Sequence, residues 1–164
     1  MNPALVVILL VALLALATVA GLVGRSRAGR VKASGGSETV AVSELVPGES
    51  GGTAATLLQF STEFCSTCGP TGVQLEKLAT EFAGVRHVDV DITHRPDLAR
   101  RFDILQSPTT LVLDGDGAIR ARIGGSPRLA DLRTRLAGLV AVGARTAGTA
   151  APATTTAPTT REAS

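Results

Sequence analysis

Two cysteines, Cys65 and Cys68, are the only cysteines of the 164-residue chain, and two residues separate them. They follow the apolar run Leu57–Phe60 and open a segment in which apolar residues recur at helical spacing. Two thiols on the first turn of a helix lie close enough to form a disulfide, and the helix N-terminus stabilises the leading sulfur as a thiolate. At this point a redox centre, half of a metal site and a pair of structural thiols all fit the stretch.

A zinc site needs two further ligands, and His87 and His94 are the only histidines of the chain. Their spacing matches no standard zinc-binding pattern. Asp114 and Asp116 alternate with glycines, but no glutamate ligand follows them as in a calcium loop, so the stretch predicts a hairpin turn. We therefore predict no metal site.

The composition narrows the class of protein. Sixteen basic and fourteen acidic residues give a net charge of +2, and no basic run is interleaved with aromatic residues, which argues against nucleic-acid binding. The chain has four phenylalanines and neither tryptophan nor tyrosine, so Val, Leu, Ile and Ala must build the core. The length predicts one domain with appendages.

Residues 4–23 form an apolar stretch without a charged residue. About 20 helical residues rise about 30 Å, which is the thickness of the hydrocarbon core of a bilayer. A cleaved signal peptide is the alternative, but it requires a basic start and an apolar core of only about 7–15 residues. The sequence therefore predicts an uncleaved transmembrane anchor.

Basic residues flank this stretch on one side only: Arg25, Arg27, Arg30 and Lys32 follow it, and no Lys or Arg precedes it. Positively charged flanks remain on the cytoplasmic side of a membrane. We predict that the N-terminus lies outside and the rest of the chain is cytoplasmic, with an extracytoplasmic domain as the alternative.

Changes in composition divide the chain into four parts. We predict a transmembrane anchor over 1–24, a basic flank and Gly/Ser-rich linker over 25–53, a folded domain over 54–143 and a disordered Thr/Ala/Pro tail over 144–164. Within the linker, residues 38–46 have the pattern of a short edge strand or turn.

Within the domain, apolar patterns alternate between strand and helix spacing. This alternation predicts parallel strands, a closing antiparallel hairpin and helices on both faces of the sheet. The predicted strands are 54–61, 85–91, 109–113 and 118–123; the predicted helices are 66–82, 96–102 and one that begins at Ser126-Pro127.

The Cys-x-x-Cys after the first core strand, together with Ser107-Pro108-Thr109 before the third, resembles the thioredoxin family over roughly residues 54–142. The resemblance implies an α/β fold, a β-α-β-α-β-β-α sandwich with a mixed sheet flanked by helices, here behind an N-terminal transmembrane helix. It also implies a redox-active Cys65–Cys68 disulfide, with Cys65 as the nucleophilic thiol and Cys68 as the resolving thiol.

The resemblance further implies a substrate-binding surface around the cysteines. Pro108 matches the cis-proline that faces the disulfide in this family, and it leaves the backbone of Ser107 free to pair with a substrate chain. Phe64 stands where many thioredoxins have tryptophan. Gly124 matches a glycine opposite the active site.

Two departures from the family pattern affect the chemistry. The residues between the cysteines are Ser66-Thr67 instead of Gly-Pro, which leaves open whether the site reduces or oxidises its substrates. Gln59 stands six residues before Cys65, where thioredoxins bury an aspartate that helps to deprotonate the second thiol. Glutamine cannot accept that proton, and His87 lies near the position of a family lysine.

We therefore predict a membrane-tethered thiol–disulfide oxidoreductase that acts on protein disulfides through Cys65 and Cys68 and needs no cofactor. Its partners are a protein substrate and an unidentified electron donor or acceptor. A redox-weak binding or adaptor module at the membrane is the alternative that Gln59 supports.

Overall fold

The structure is a computed structural model that describes residues 3–27, 29–33 and 38–149. From the second strand onward its order is the predicted β-α-β-α-β-β-α, and β3 has the predicted bounds. The elements are α1 (Pro3–Arg27), β1 (Lys32–Ala33), α2 (Val42–Leu45), β2 (Ala55–Ser61), α3 (Cys68–Thr80), β3 (Val85–Asp91), α4 (Pro96–Arg101), β4 (Thr109–Asp114), β5 (Ile119–Gly124) and α5 (Leu129–Thr149).

The five strands form one mixed sheet in the order β1-β5-β4-β2-β3. β2 and β3 are parallel as predicted, but β4 runs antiparallel to β2, so the expectation of a parallel third strand was wrong. The six residues of α4 rise only about 9 Å, whereas the seven residues of β3 extend about 23 Å. The connection therefore stays at the edge of the sheet where β3 ends, and β4 starts from that edge.

Helices cover both faces of the sheet. Successive side chains of β2 alternate between the two faces, and every one of them is buried. Leu58 and Phe60 belong to the core under α2 and α4, where Phe60 and Phe102 pack with ring centroids 5.2 Å apart. Leu57 belongs to the second core, under α3 and α5, together with Leu75. The predicted fold class is confirmed.

Part of the predicted linker over 25–53 belongs to the folded domain. β1 pairs antiparallel with β5, and α2 buries Val42 and Leu45 against the sheet. Thr39 forms a bridge with Ala118, which agrees with the expected edge structure in this segment. A two-residue strand and a one-turn helix are too short to produce a periodic pattern, and residues 34–37 lie outside the described part of the chain.

The side chains of α1 from Ala4 to Leu22 lie almost entirely exposed, and the helix is long and apolar enough to cross a membrane. A signal sequence near an N-terminus meets the same criterion. An apolar surface of this size is unfavourable in water, because soluble proteins rarely expose contiguous apolar patches larger than a few hundred Å².

The last helix differs from its prediction at both ends. It begins at Leu129 instead of Pro127, and the hydroxyl of Ser126, the predicted N-cap, lies 2.9 Å from the hydroxyl of Thr71. It continues to Thr149, six residues beyond the predicted domain boundary at 143. The remainder of the predicted tail, 150–164, lies outside the described residues.

Candidate active site

The two cysteines lie where β2 gives way to α3, and a disulfide joins them with Cα atoms 5.4 Å apart. A turn after β2, in which the amide of Cys65 donates to the carbonyl of Thr62 at 3.1 Å, carries Cys65 to the surface. Cys68 is the first residue of α3 and is only 4% exposed, whereas Cys65 is partly exposed. An external sulfur therefore reaches Cys65 before Cys68.

Gln59, on β2, contacts the backbone of the buried Cys68. It lies on the face of β2 that meets α3, is 1% exposed, and donates from its Nε2 to the carbonyl oxygen of Cys68 at 3.1 Å. Its Oε1 has no hydrogen-bond partner among the described residues. The amide holds the start of α3 in place, but it supplies no group that takes up a proton at neutral pH.

His87 faces the same side of the sheet from β3, where it pairs in register with Leu57. Its Nε2 is buried and has no partner within the described residues. Desolvation lowers the pKa of His87, and this effect outweighs the nearby carboxylates of Asp89 and Glu76, which raise it. His87 is therefore neutral at pH 7 and faces α3 as an uncharged ring.

The segment before β4 lies beside the cysteines. The Ser107–Pro108 peptide bond is cis, and Pro108 is buried whereas Ser107 is partly exposed. In register, Thr109 lies between Phe60 near the end of β2 and Gly124 at the end of β5. We call this edge of the sheet, formed by the Cys65–Cys68 turn, Ser107–Pro108 and Gly124, the redox edge.

Two large apolar side chains project from the redox edge into solvent. Phe64, which precedes the disulfide, is 86% exposed, and Leu105, in the loop before Pro108, is 87% exposed. Leu105 was absent from the predicted site, because its exposure depends on where the loop before β4 lies. Beside it, the side chain of Gln106 occupies the space that a Cβ on Gly124 would need.

A second feature that the sequence did not indicate is the hydroxyl pair of Thr71 and Ser126. Thr71 is buried in the second turn of α3, and its hydroxyl lies 2.9 Å from that of Ser126 in the loop before α5. The contact joins the helix that carries Cys68 to the loop that follows Gly124.

The structure holds the sulfur atoms of Cys65 and Cys68 in a disulfide. Among the described residues, no three His, Cys, Asp or Glu side chains form a group suited to a metal ion. Asp114 bonds to the amides of Asp116 and Ala118 and to Arg120, as a hairpin-turn residue does.

A groove of about 1240 Å³ lies at the opposite edge of the sheet, between α5 and the turn at Gly115, and includes neither cysteine. At the redox edge, Cys65 and Ser107 are both partly exposed. Partly exposed residues with exposed apolar neighbours suit a polypeptide better than a small molecule, which binds in a concave pocket.

Comparison with known proteins matches residues 50–137 to the family model described as Thioredoxin, a range that contains every predicted site residue. Thioredoxin C-2 of Corynebacterium nephridii is 32% identical over 73 residues, which cover 44% of this chain and 68% of that protein. Mitochondrial thioredoxin 3 of Saccharomyces cerevisiae is 23% identical, with 52% of this chain and 79% of that chain covered and a TM-score of 0.45. The thioredoxin of Trypanosoma brucei brucei is also 23% identical, with 55% and 78% covered and a TM-score of 0.47.

Proposed function

The chain belongs to the thioredoxin family, and on that basis we propose that it is a membrane-tethered thiol–disulfide oxidoreductase in which Cys65 and Cys68 exchange disulfides with protein substrates. The difference in exposure between the two cysteines is the observation that carries this proposal. One sulfur is accessible to a partner, and the other is held behind it at the start of α3.

In the reductive direction, the thiolate of Cys65 attacks one sulfur of a substrate disulfide. A mixed disulfide forms, and the other substrate sulfur leaves as a thiolate that takes up a proton. Cys68 then loses its proton, and its thiolate attacks the sulfur of Cys65, which releases the second substrate thiol. Two electrons and two protons pass to the substrate, and the Cys65–Cys68 disulfide remains for an external dithiol donor to reduce.

The surroundings of the disulfide support roles for the other predicted site residues. The backbone of Ser107, held by buried Pro108, pairs with an extended substrate segment, and Phe64 and Gly124 flank that segment. The amide of Gln59 keeps the start of α3 in place during the exchange.

A redox-weak adaptor is the second candidate, and the chemistry of Gln59 favours it. The side chain closest to Cys68 from β2 is an amide, so no carboxylate there assists the loss of the Cys68 proton. An adaptor keeps the binding surface at the redox edge without rapid exchange.

We propose further that α1 is retained as a single membrane span. An exposed apolar helix of this length is stable in lipid, since all its backbone hydrogen bonds are internal. The basic residues that follow it support a cytoplasmic position of the domain.

Reduction of insulin with dithiothreitol as the electron source distinguishes the two functions. We expect the full chain in detergent to accelerate insulin precipitation, and Cys65→Ser to abolish the acceleration because the accessible sulfur is lost. Cys68→Ser serves as the matched control that keeps this sulfur. If the wild-type protein is inactive while both thiols titrate with a thiol reagent, the adaptor replaces the enzyme.

A further inference from the structure

One residue, Ala28, connects the membrane helix to the folded domain. Gly29 is already part of the domain: its amide donates to the carbonyl of Gly124 at 2.9 Å, and its carbonyl accepts from the amide of Arg128 at 3.2 Å. Consecutive Cα atoms lie about 3.8 Å apart, so the end of α1 at Arg27 is within about 8 Å of Gly29. The domain is therefore held at the end of its anchor and not on a long tether.

The attachment point lies at the redox edge. Gly124, which holds Gly29, pairs with Thr109, and Thr109 pairs with Phe60 just before the turn that carries Cys65. With neighbouring strands about 4.8 Å apart, Gly29 lies about 15 Å from the end of β2. The turn at Asp116 lies at the far end of the six-residue β4, about 20 Å away along the sheet.

The apolar side chains of the domain fit this placement. Among the described residues outside α1, Phe64 and Leu105 are the most exposed large apolar side chains, and both lie at the redox edge. In water each exposes apolar area whose burial is favourable. A surface next to a bilayer, or next to a chain segment that has just left a bilayer, provides that burial.

We propose that the redox edge faces the membrane surface and that the substrate is a disulfide in the juxtamembrane segment of an integral membrane protein. This inference rests on the proposed function, because the exchange is the one described for Cys65. The short connection at Ala28 restricts the distance from the membrane at which Cys65 works, and Phe64 and Leu105 contact the apolar flank of the substrate segment.

Energy transfer from a fluorophore to headgroup-labelled lipid tests the orientation without requiring activity. In one protein, full-length Cys68→Ser, the donor is attached to Cys65. In the other, Cys65→Ser/Cys68→Ser/Asp116→Cys, it is attached to position 116, at the end of β4 far from the redox edge. Both proteins are placed in phosphatidylcholine vesicles. We expect higher transfer from position 65 than from position 116. Equal transfer, or higher transfer from position 116, overturns the inference.

A kinetic experiment tests the substrate class. A flexible Gly/Ser insertion of about ten residues after Ala28 adds a span of about 17 Å. The probes are insulin and a transmembrane peptide with one disulfide just outside its span, in the same vesicles. We expect the insertion to slow reduction of the peptide and to leave the insulin rate unchanged. Unchanged rates on both probes overturn the inference, whereas a wild-type protein that reduces neither probe overturns the proposed function instead.

Discussion

At the residue scale, two side chains with buried polar atoms, Gln59 and His87, lie between the sheet and the helix that begins with Cys68. Gln59 has one half of its amide bonded to Cys68 and the other half without a partner among the described residues, and the Nε2 of His87 is likewise unpaired there. A Cβ built on Gly72 in α3 would lie 3.5 Å from both Gln59 Oε1 and His87 Cε1. The two side chains therefore meet the same turn of the helix that begins with Cys68.

Burial of His87 predicts a pH-dependent stability. Desolvation lowers the pKa of His87 in the folded protein, so the unfolded chain binds its proton more readily. The contribution of His87 is complete above its unfolded pKa of about 6.5 and is lost as the pH falls toward the folded pKa. We expect the free energy of unfolding in urea to decrease between pH 7.5 and pH 5.

The His87→Gln variant is the comparison for this experiment, and it should lose less stability over the same interval. Carboxylates with lowered pKa, such as those of Asp91 and Asp114, affect stability only at more acidic pH. An identical pH profile for wild type and variant would contradict the account of His87.

The spacing of Cys65 and Cys68 indicated two thiols close enough for a disulfide, and the resemblance to the thioredoxin family implied a cis bond before Pro108; the structure contains both. Residue types and spacing did not indicate Leu105 or the Thr71–Ser126 pair. The exposure of Leu105 depends on where the loop before β4 lies, and Thr71 meets Ser126 across 55 residues of sequence. Contacts of that kind follow from the fold and not from a local pattern.

At the element scale, α3 supports the site, since it carries Cys68 at its first residue and packs Leu75 and Leu78 onto the sheet. Pro70 lies in its first turn, where backbone N–H groups have no partner within the helix, and so it does not break the helix. Gly72 lies within the helix, where the conformational freedom of glycine is destabilising.

We expect Gly72→Ala to stabilise the protein by about 0.5–1 kcal/mol, measured by urea denaturation, since alanine costs less backbone entropy in a helix. A Cβ at this position makes only ordinary van der Waals contacts. Gly115→Ala is the matched control, and it should be destabilising because its Cβ would run into the carbonyl oxygen of Thr53. A loss of stability in Gly72→Ala would show that the helix packs more tightly against β2 and β3.

The strands and helices of the core could be predicted because their apolar patterns are long. β3 alternates between buried and exposed residues from Val88 to Asp91, and the seven residues of β2 are buried on both faces. The direction of β4 could not be read from the same patterns, because an antiparallel central strand is as apolar as a parallel one. β1 escaped prediction since two residues carry no period, and its place depends on pairing with Arg122 and Ala121.

At the scale of the whole molecule, one apolar helix adjoins one α/β domain at the edge that carries the disulfide. The glycine-rich composition of residues 25–53 indicated a flexible tether, whereas Gly29 bonds to Gly124 and β1 pairs with β5. If α1 spans the membrane as proposed, a thiol–disulfide exchanger fixed in this way acts only on a restricted layer next to the membrane.

The basic residues that follow α1 predict the side of the membrane on which the domain lies. The proposed cytoplasmic position of the domain predicts that a fluorescent protein fused after Ser164 fluoresces and that alkaline phosphatase fused at the same point is inactive. In a charge-swapped control, Asn2→Lys combined with Arg25→Ser and Arg27→Ser should favour the opposite orientation. An active phosphatase on the unmodified chain would place the domain outside the cytoplasm.

The central claim is that the accessible Cys65 attacks the substrate and the buried Cys68 resolves the mixed disulfide. Trapping of the mixed disulfide tests this claim most directly. The full chain carrying Cys68→Ser is mixed with a peptide closed by a single disulfide, and the products are measured by intact-mass spectrometry. The account predicts a one-to-one covalent adduct that dithiothreitol releases, and no adduct with Cys65→Ser, whose remaining thiol is only 4% exposed. An adduct on the Cys65→Ser protein, or no adduct on either protein, would contradict the account.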